Sequence, residues 1–156
     1  MKVFLTIALM FMFNSVWGAK SIAPLETDYC TNYKEGTRSQ PDLWKHCCLI
    51  HDMHFWAGGN KQNRYDSDVE LKSCIEETGS TNVARLMYFA VRAGSYSPIK
   101  YSNKKWNHGW KGRPTFKSLS VEDIEVIENE LLSTNYDFIS VDIKNHFINK
   151  LRSRLE

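Results

Sequence analysis

The stretch His46-Cys47-Cys48-Leu49-Ile50-His51-Asp52-Met53-His54-Phe55-Trp56-Ala57-Gly58-Gly59 decides the fold of this chain. Two adjacent cysteines precede a His-Asp pair by three and four residues. On a helix, residues at these spacings share a face, so both cysteines would lie one turn behind His51. Imidazole titrates near neutrality, and a carboxylate such as Asp52 can hold a cation. The pattern therefore indicates a disulfide-anchored helix that projects groups suited to chemistry.

The residues around this stretch predict two successive helices. Pro41 suits the first position of a helix and Gly58-Gly59 suits its end. A second helix is predicted from Lys61 to Glu77, closed by Gly79, and residues 19–40 are expected to form a loop. The inward row of the second helix would comprise Arg64, Asp68, Leu71, Cys74 and Ile75.

The two helices are expected to form an antiparallel hairpin. In such a pair, the numbers of facing residues add to a nearly constant sum. His51 with Asp68 and Cys47 with Cys74 give nearly the same sum, and half of it falls at the Gly58-Gly59-Asn60 turn. The register therefore places a carboxylate beside the histidine and a cysteine beside a cysteine.

The four cysteines predict two disulfides, because an even number in an exported chain is typical of a disulfide framework. Cys47 and Cys48 are neighbours on a helix and cannot easily bond each other, which leaves two pairings. The hairpin register favours Cys47–Cys74, so Cys48 is left for Cys30.

The N-terminus has the pattern of a secretory signal. Lys2 is followed by an apolar run over residues 3–13 and a short tail that ends at Gly18. This segment is too short to span a bilayer, and we predict cleavage after Gly18; the alternative is an N-terminal core helix. Residues 19–156 then form a single domain that is secreted or periplasmic. The formal net charge of +2 falls by one without Lys2, so charge alone predicts no partner.

The remainder of the domain is expected to be helical, with no convincing strands. A third helix is predicted over Asn82 to Arg92, and Ser120 to Asp123 resembles a capping box that opens a helix ending near Leu132. Ser140 with Asp142 would cap the last helix. The apolar residues expected to place the third helix in the core are Val83, Leu86, Met87, Phe89, Ala90 and Val91. The predicted fold class is mainly α.

A basic, aromatic-rich segment lies between Thr78 and Val121, with eight basic residues and no acidic ones. One interpretation is a solvated loop whose aromatic side chains cover the core. The other is a contact surface for anionic phospholipid, where lysines meet phosphates and tryptophans lie at the interface. Export argues against nucleic acid as the partner. The candidate membrane contacts are Lys104, Lys105, Trp106, Trp110 and Lys111.

The motif Cys47-Cys48-x-x-His51-Asp52 resembles the catalytic helix of the phospholipase A2 superfamily. Asp68 stands six residues before Cys74, as in the second helix of the secreted family, and Tyr29-Cys30 matches the cysteine of the family's calcium loop. One family disulfide is absent at both of its positions, which here are His54 and Ser67. The sequence of residues 44–59 is more similar to little-studied bacterial members of the superfamily than to its venom or pancreatic enzymes.

The resemblance implies a phospholipid ester hydrolase. His51 would activate a water molecule as general base, and Asp68 would orient the imidazole. Asp52 would ligate Ca²⁺, the one cofactor implied. The loop over residues 30–40 departs from the family, because it holds a single glycine and is about two residues longer.

Other readings of the same residues stay open. A non-catalytic scaffold of the same fold could bind membrane lipid or a protein partner, and the glycine-poor loop favours it. A zinc site is a further alternative, because His51 and His54 project about 60° apart on the helix while His46 points elsewhere. The sequence leaves the oligomeric state and the lipid head group open.

Overall fold

The computed structural model describes residues 20–96 and 105–155, and it confirms the mainly α class. Within these ranges the only strand-like feature is an isolated bridge between Ile22 and Trp110. The leader assigned to residues 1–18 lies outside the described residues. The five helices are α1 (Lys45–Ala57), α2 (Lys61–Glu77), α3 (Thr81–Tyr96), α4 (Val121–Ser133) and α5 (Val141–Arg152).

Helix α1 begins at Lys45, so the predicted start at Pro41 is wrong. Residues 41–44 form a turn, in which the Lys45 N–H donates to the Asp42 carbonyl at 3.2 Å, three residues back. The predicted end is confirmed at Gly58-Gly59, where the backbone φ angles are 78° and 133°. A Cβ on Gly58 would lie 2.4 Å from the Asn107 Cβ, so this turn needs glycine for space as well as for conformation.

Helices α1 and α2 form the predicted antiparallel hairpin, and the bounds of α2 agree with the prediction. Asn60 opens α2 through a reciprocal capping box with Asn63. Both predicted disulfides are confirmed: Cys47–Cys74 joins α1 to α2, and Cys30–Cys48 ties the preceding loop to α1. His51 and Asp68 are thus held in register by a covalent link about one helical turn away.

The turn over residues 105–110 covers the C-terminal end of α1. The Trp106 indole donates to the Gly59 carbonyl at 2.7 Å, and the Trp110 indole donates to the Ala57 carbonyl at 2.8 Å. These bonds satisfy carbonyls that a helix end and the turn after it leave without partners. Both indoles are consequently buried, with exposed fractions of 1% and 9%.

Helices α4 and α5 complete the core against the inner face of α1. The predicted capping box of α4 is confirmed, since Ser120 and Asp123 each bond the other's backbone N–H, and Ser140 caps α5 through the Ile143 N–H. The largest buried side chains shared by this core are Met53, Trp56, Ile127, Leu131, Phe147 and Leu151.

Candidate functional site

His51 and Asp68 form a hydrogen-bonded pair across the hairpin. The His51 Nε2 lies 2.8 Å from the Asp68 Oδ1, and the carboxylate is fully buried. A carboxylate accepts but does not donate, so Nε2 carries the proton and Nδ1 of the neutral ring keeps its lone pair. The pair that the sequence predicted therefore has the tautomer that a general base requires.

Arg92 is a third member of this cluster, and the sequence reasoning missed it. Its Nη1 donates to the Asp68 Oδ2 at 2.9 Å, while its guanidinium lies 5.1 Å from the Tyr65 ring centroid. The guanidinium compensates the buried negative charge, which would otherwise be costly to bury. Arg92 lies on α3, whose packing against α2 could not be read from the spacing of the motif.

Asp52 lies one residue beyond His51 and faces the loop that precedes α1. Its Oδ2 accepts a hydrogen bond from the Thr27 hydroxyl at 2.6 Å, and the same hydroxyl accepts from the Tyr29 N–H at 3.0 Å. Thr27 was not predicted as a site residue, because it lies in a polar, aperiodic segment without a motif. The hydroxyl links the carboxylate to the start of the loop.

The loop that precedes α1 contains three residues other than glycine in the left-handed backbone region that glycine usually occupies. Tyr29, Thr31 and Asn32 have φ angles of 54°, 39° and 51°. This region disfavours most residues, and such conformations persist where the surrounding structure holds them. Here Cys30 lies within the segment and is bonded to α1, which supplies that constraint.

A cavity of about 410 Å³ brings these elements together. His51, Asp52 and Phe55 line one side, and Tyr29 to Thr31 line another. Its charged lining groups include Glu26, Asp28, Asp52 and Arg64. Its apolar wall comes from α3 and comprises Leu86, Met87, Ala90 and Val91.

Three apolar residues of α3 are exposed, which corrects their assignment to the core. Leu86 is 54% exposed, Phe89 is 68% exposed and Ala90 is also exposed, whereas Met87 is buried as predicted. Leu86 and Ala90 line the cavity, and Phe89 lies outside its lining. The apolar repeat of α3 thus serves both a core and an open wall.

The candidate membrane surface of the sequence analysis is wrong in its aromatic part. Trp106 and Trp110 are buried against the end of α1 and cannot reach a bilayer. Lys105 and Lys111 are exposed, and Lys104 lies outside the described residues. In the part of the chain that the structure covers, no helix has the length and apolar character to cross a membrane.

The histidines of α1 diverge. His51 bonds Asp68, whereas the fully buried His54 bonds the Glu70 Oε2 through its Nε2 at 3.1 Å and accepts from the Arg154 Nη1 at 3.3 Å. Glu70 also pairs with Lys150, so His54 belongs to a network that includes α5. The zinc alternative at His51 and His54 gains no support from this geometry.

A separate cluster with metal-like spacing comprises His46, Cys47 and Cys74. Both sulfurs belong to the disulfide between α1 and α2. A disulfide offers no thiolate, the form in which cysteine binds metals, so this cluster does not fit a zinc ion.

Carboxylate oxygens also line part of the cavity. Glu26, Asp28 and Asp52 are lining residues, but within the described residues they do not form a close cluster of ligand atoms. Of the three, Asp52 beside His51 is the residue that could hold a hard cation such as Ca²⁺, which takes oxygen ligands.

Comparisons with protein-family models, with curated proteins and with solved structures find no match.

Proposed function

We propose that this protein is a secreted or periplasmic lipid ester hydrolase of the phospholipase A2 type. The observation that carries the proposal is the His51–Asp68 pair, 2.8 Å apart, in the wall of a cavity that also holds Asp52. A base, its orienting carboxylate and a second carboxylate for a cation converge there. The two disulfides favour an oxidising compartment outside the cytoplasm.

The proposed reaction is direct attack by water on an ester carbonyl. Nδ1 of His51 takes a proton from the water while the water oxygen bonds to the carbonyl carbon. Asp68, braced by Arg92, holds the Nε2–H and stabilises the imidazolium that forms. When the tetrahedral intermediate collapses, the imidazolium returns the proton to the departing alcohol oxygen. No serine or cysteine nucleophile is needed.

Calcium belongs to this proposal as the cation that Asp52 would hold, with oxygen ligands from the adjoining loop. A bound Ca²⁺ supplies Lewis-acid stabilisation of the ester oxygen as it gains negative charge. Thr27 orients Asp52 through its hydroxyl, and the Cys30–Cys48 bridge keeps the loop against α1. Thr27 and the bridge would thus hold oxygen ligands for the cation close to His51.

The substrate class follows from the other wall of the cavity. Leu86, Met87, Ala90 and Val91 present apolar groups that suit an acyl chain, and a chain in this position leaves its ester near His51. Leu86 in this wall and Phe89 on the same helix are exposed, which suits a protein that works at a phospholipid surface. The partner is then the lipid surface itself.

A non-catalytic lipid-binding scaffold is the second candidate. The specific observation in its favour is the loop before α1. Its left-handed positions are Tyr29, Thr31 and Asn32 and not glycine, and the Thr27 hydroxyl already bonds Asp52. A loop held in this way could bind lipid without positioning an ion.

The deciding experiment measures fatty-acid release from mixed anionic and zwitterionic phospholipid vesicles, with calcium or with a chelator. His51→Gln is expected to lower the rate by at least about 100-fold, since it removes the general base. His46→Gln is the matched control, because His46 is exposed on the same helix and outside the cavity around Asp52.

Two results would count against hydrolysis. Equal rates for the wild-type protein and His51→Gln would remove His51 from the chemistry. Vesicle binding without fatty-acid release by the wild-type protein would favour the scaffold. Release that needs His51 but survives the chelator would keep the base and remove calcium.

A further inference from the structure

The disulfide that joins α1 to α2 has a histidine beside it. The His46 Nε2 lies 3.4 Å from the Cys47 Sγ, and this nitrogen and the sulfurs of Cys47 and Cys74 all lie within 4.8 Å of one another. Within residues 20–96 and 105–155, this is the one group of three histidine, cysteine or acidic side chains whose ligand atoms come so close. What keeps a metal from its sulfurs is the bond between them.

Reduction of this bridge supplies the missing thiolates. A thiolate of a dithiol reductant attacks one sulfur, the S–S bond breaks, and the other sulfur leaves as a thiolate. The second thiol of the reductant then closes its own disulfide, so two electrons and two protons pass to Cys47 and Cys74. Zinc binds cysteine as thiolate, and its binding therefore releases both protons again.

Reductant and metal can reach the bridge from one side. His46 is exposed and Cys74 is half-buried, whereas Cys47 is buried. All three residues line a cavity of about 660 Å³ between α1, α2 and α5. A cation can thus arrive through His46 and Cys74, and three protein ligands leave its fourth position to a water molecule.

The backbone already holds the three ligands at a suitable spacing. A tetrahedral zinc ion with ordinary bond lengths places two sulfurs about 3.8 Å apart and a nitrogen about 3.5 Å from each sulfur. The His46 Nε2 is 3.4 Å from the Cys47 Sγ, which is close to that spacing. The Cα atoms of Cys47 and Cys74 are 5.7 Å apart, so side-chain rotation can separate the sulfurs once their bond is broken.

We propose that reduction of the Cys47–Cys74 disulfide by a dithiol creates a zinc site from His46, Cys47 and Cys74. Thiolate and imidazole suit Zn²⁺, whereas Ca²⁺ takes oxygen ligands. The metal then joins α1 to α2 in place of the disulfide and keeps His51 beside Asp68 in a reducing environment. The site does not rest on the proposed hydrolysis. It is absent from the oxidised protein, where His46→Gln stays a neutral control.

The second disulfide provides an internal comparison. Cys30 and Cys48 are both buried, with exposed fractions of 7% and 2%. Among the residues that the structure describes, no histidine or carboxylate completes a three-ligand group with this pair. Reduction there yields two sulfur ligands without an imidazole, so we expect zinc to distinguish the two pairs.

Cobalt tests the ligands directly, because thiolate-bound Co²⁺ has charge-transfer absorption that oxygen-bound Co²⁺ lacks. The wild-type protein is reduced with a phosphine, separated from it without oxygen, and titrated with Co²⁺ and then Zn²⁺. We expect one Co²⁺ per chain with thiolate absorption, displaced by Zn²⁺, and none of this absorption in the oxidised protein. A reduced protein that shows no thiolate absorption overturns the proposal.

His46→Gln removes the nitrogen ligand. Loss of an outer-shell partner already costs about 10–100-fold in metal affinity, so we expect the zinc affinity of the reduced variant to fall by at least about 100-fold. His146→Gln is the matched control, because His146 is also exposed and lines the same cavity but lies outside the three-ligand group. Equal zinc affinities of His46→Gln and the wild-type protein overturn the proposal.

Alkylation of the wild-type protein distinguishes a folded site from thiols of an unfolded chain. The reduced protein is treated with iodoacetamide with and without Zn²⁺, and the modified cysteines are identified by peptide mapping. Zinc is expected to slow the alkylation of Cys47 and Cys74 by at least about 10-fold more than that of Cys30 and Cys48. Equal protection of all four cysteines, or protection of none, refutes the site.

Discussion

Asp52 and Asp68 are two carboxylates near one histidine that lie in different surroundings. Asp68 is fully buried and bonded to His51 and Arg92, which suits the orienting role that we propose for it. Asp52 lies in the cavity wall and accepts from the hydroxyl of Thr27. The sequence predicted the spacing of both carboxylates, but it could not predict Arg92 or Thr27, because each contact depends on how a separate segment packs against the hairpin.

Asp52→Asn tests the cation at the scale of a single residue. The amide oxygen can still accept from Thr27, so the fold should persist while the negative charge disappears. We expect the stabilisation of the protein by millimolar calcium, measured as a shift in Tm, to vanish and fatty-acid release to fall by at least about 100-fold. Asp66→Asn is the control, since Asp66 lies on α2 outside this cavity and bonds Gln62. A calcium-induced shift that survives in Asp52→Asn would contradict the assignment.

At the scale of the helices, the periodicity of apolar residues predicted that each helix exists and where most of them begin and end. It failed where one apolar helix face is partly buried and partly exposed. The bounds of α2 and the capping residues of α4 follow from local signals, because caps act over one turn. The start of α1 does not, since residues 41–44 close a turn instead. On α3, hydrophobicity indicated a core, yet Leu86 and Ala90 are exposed and line the cavity, because a wall beside an open cavity has the same apolar pattern as a buried face.

Gly94 tests whether the wall on α3 holds an acyl chain. It lines the cavity, and a Cβ added there meets no atom within 4 Å. Gly94→Leu is expected to fill part of the cavity and to lower kcat/KM for long-chain phospholipids several-fold more than for short-chain ones. Stability should rise by about 0.5–1 kcal/mol, because glycine is unfavourable inside a helix.

Ala93→Leu places the same side chain on α3 away from the described lining of the cavity and is the control for Gly94→Leu. If both variants change chain-length preference equally, the wall of the cavity is not where the acyl chain binds.

At the scale of the whole molecule, the contacts that escaped prediction join distant segments. The turn over residues 105–110 covers the end of α1, and Arg154 bonds His54 across a separation of 100 residues. Hydrophobic pattern and caps act within a helix and carry no information on such pairings. The burial of Trp106 and Trp110 is the clearest case: a composition typical of a membrane contact instead supplies indole donors to backbone carbonyls.

The network around His54 predicts how the whole fold responds to acid. Burial lowers the pKa of His54 to about 4, although the hydrogen bond to Glu70 opposes this, and Arg154 lowers it further. Burial would raise the pKa of Glu70, but its bonds from His54 and Lys150 lower it to about 2. His54 is therefore neutral and Glu70 ionised in the folded protein near pH 7.

The sign of the effect follows from proton binding by the unfolded chain. Between pH 6.5 and 4 the unfolded state protonates His54 while the folded state does not, so the free energy of unfolding falls as the pH falls. Below pH 4.5 Glu70 continues the loss in the same direction down to about pH 2. Over this pH range, the free energy of unfolding that is lost through His54 is on the order of 3 kcal/mol at most.

His54→Gln removes the titrating ring while keeping groups that can bond Glu70 and Arg154. The free energy of unfolding, measured with urea at several pH values from 7 to 4, should then lose most of its slope, whereas His46→Gln should keep the wild-type slope because His46 is exposed. An unchanged slope in His54→Gln would mean that other groups govern the response. A flattened slope would show that the acid response of the fold comes from one buried imidazole, which is neutral in the folded protein and bonds Glu70, the partner of Lys150 on α5.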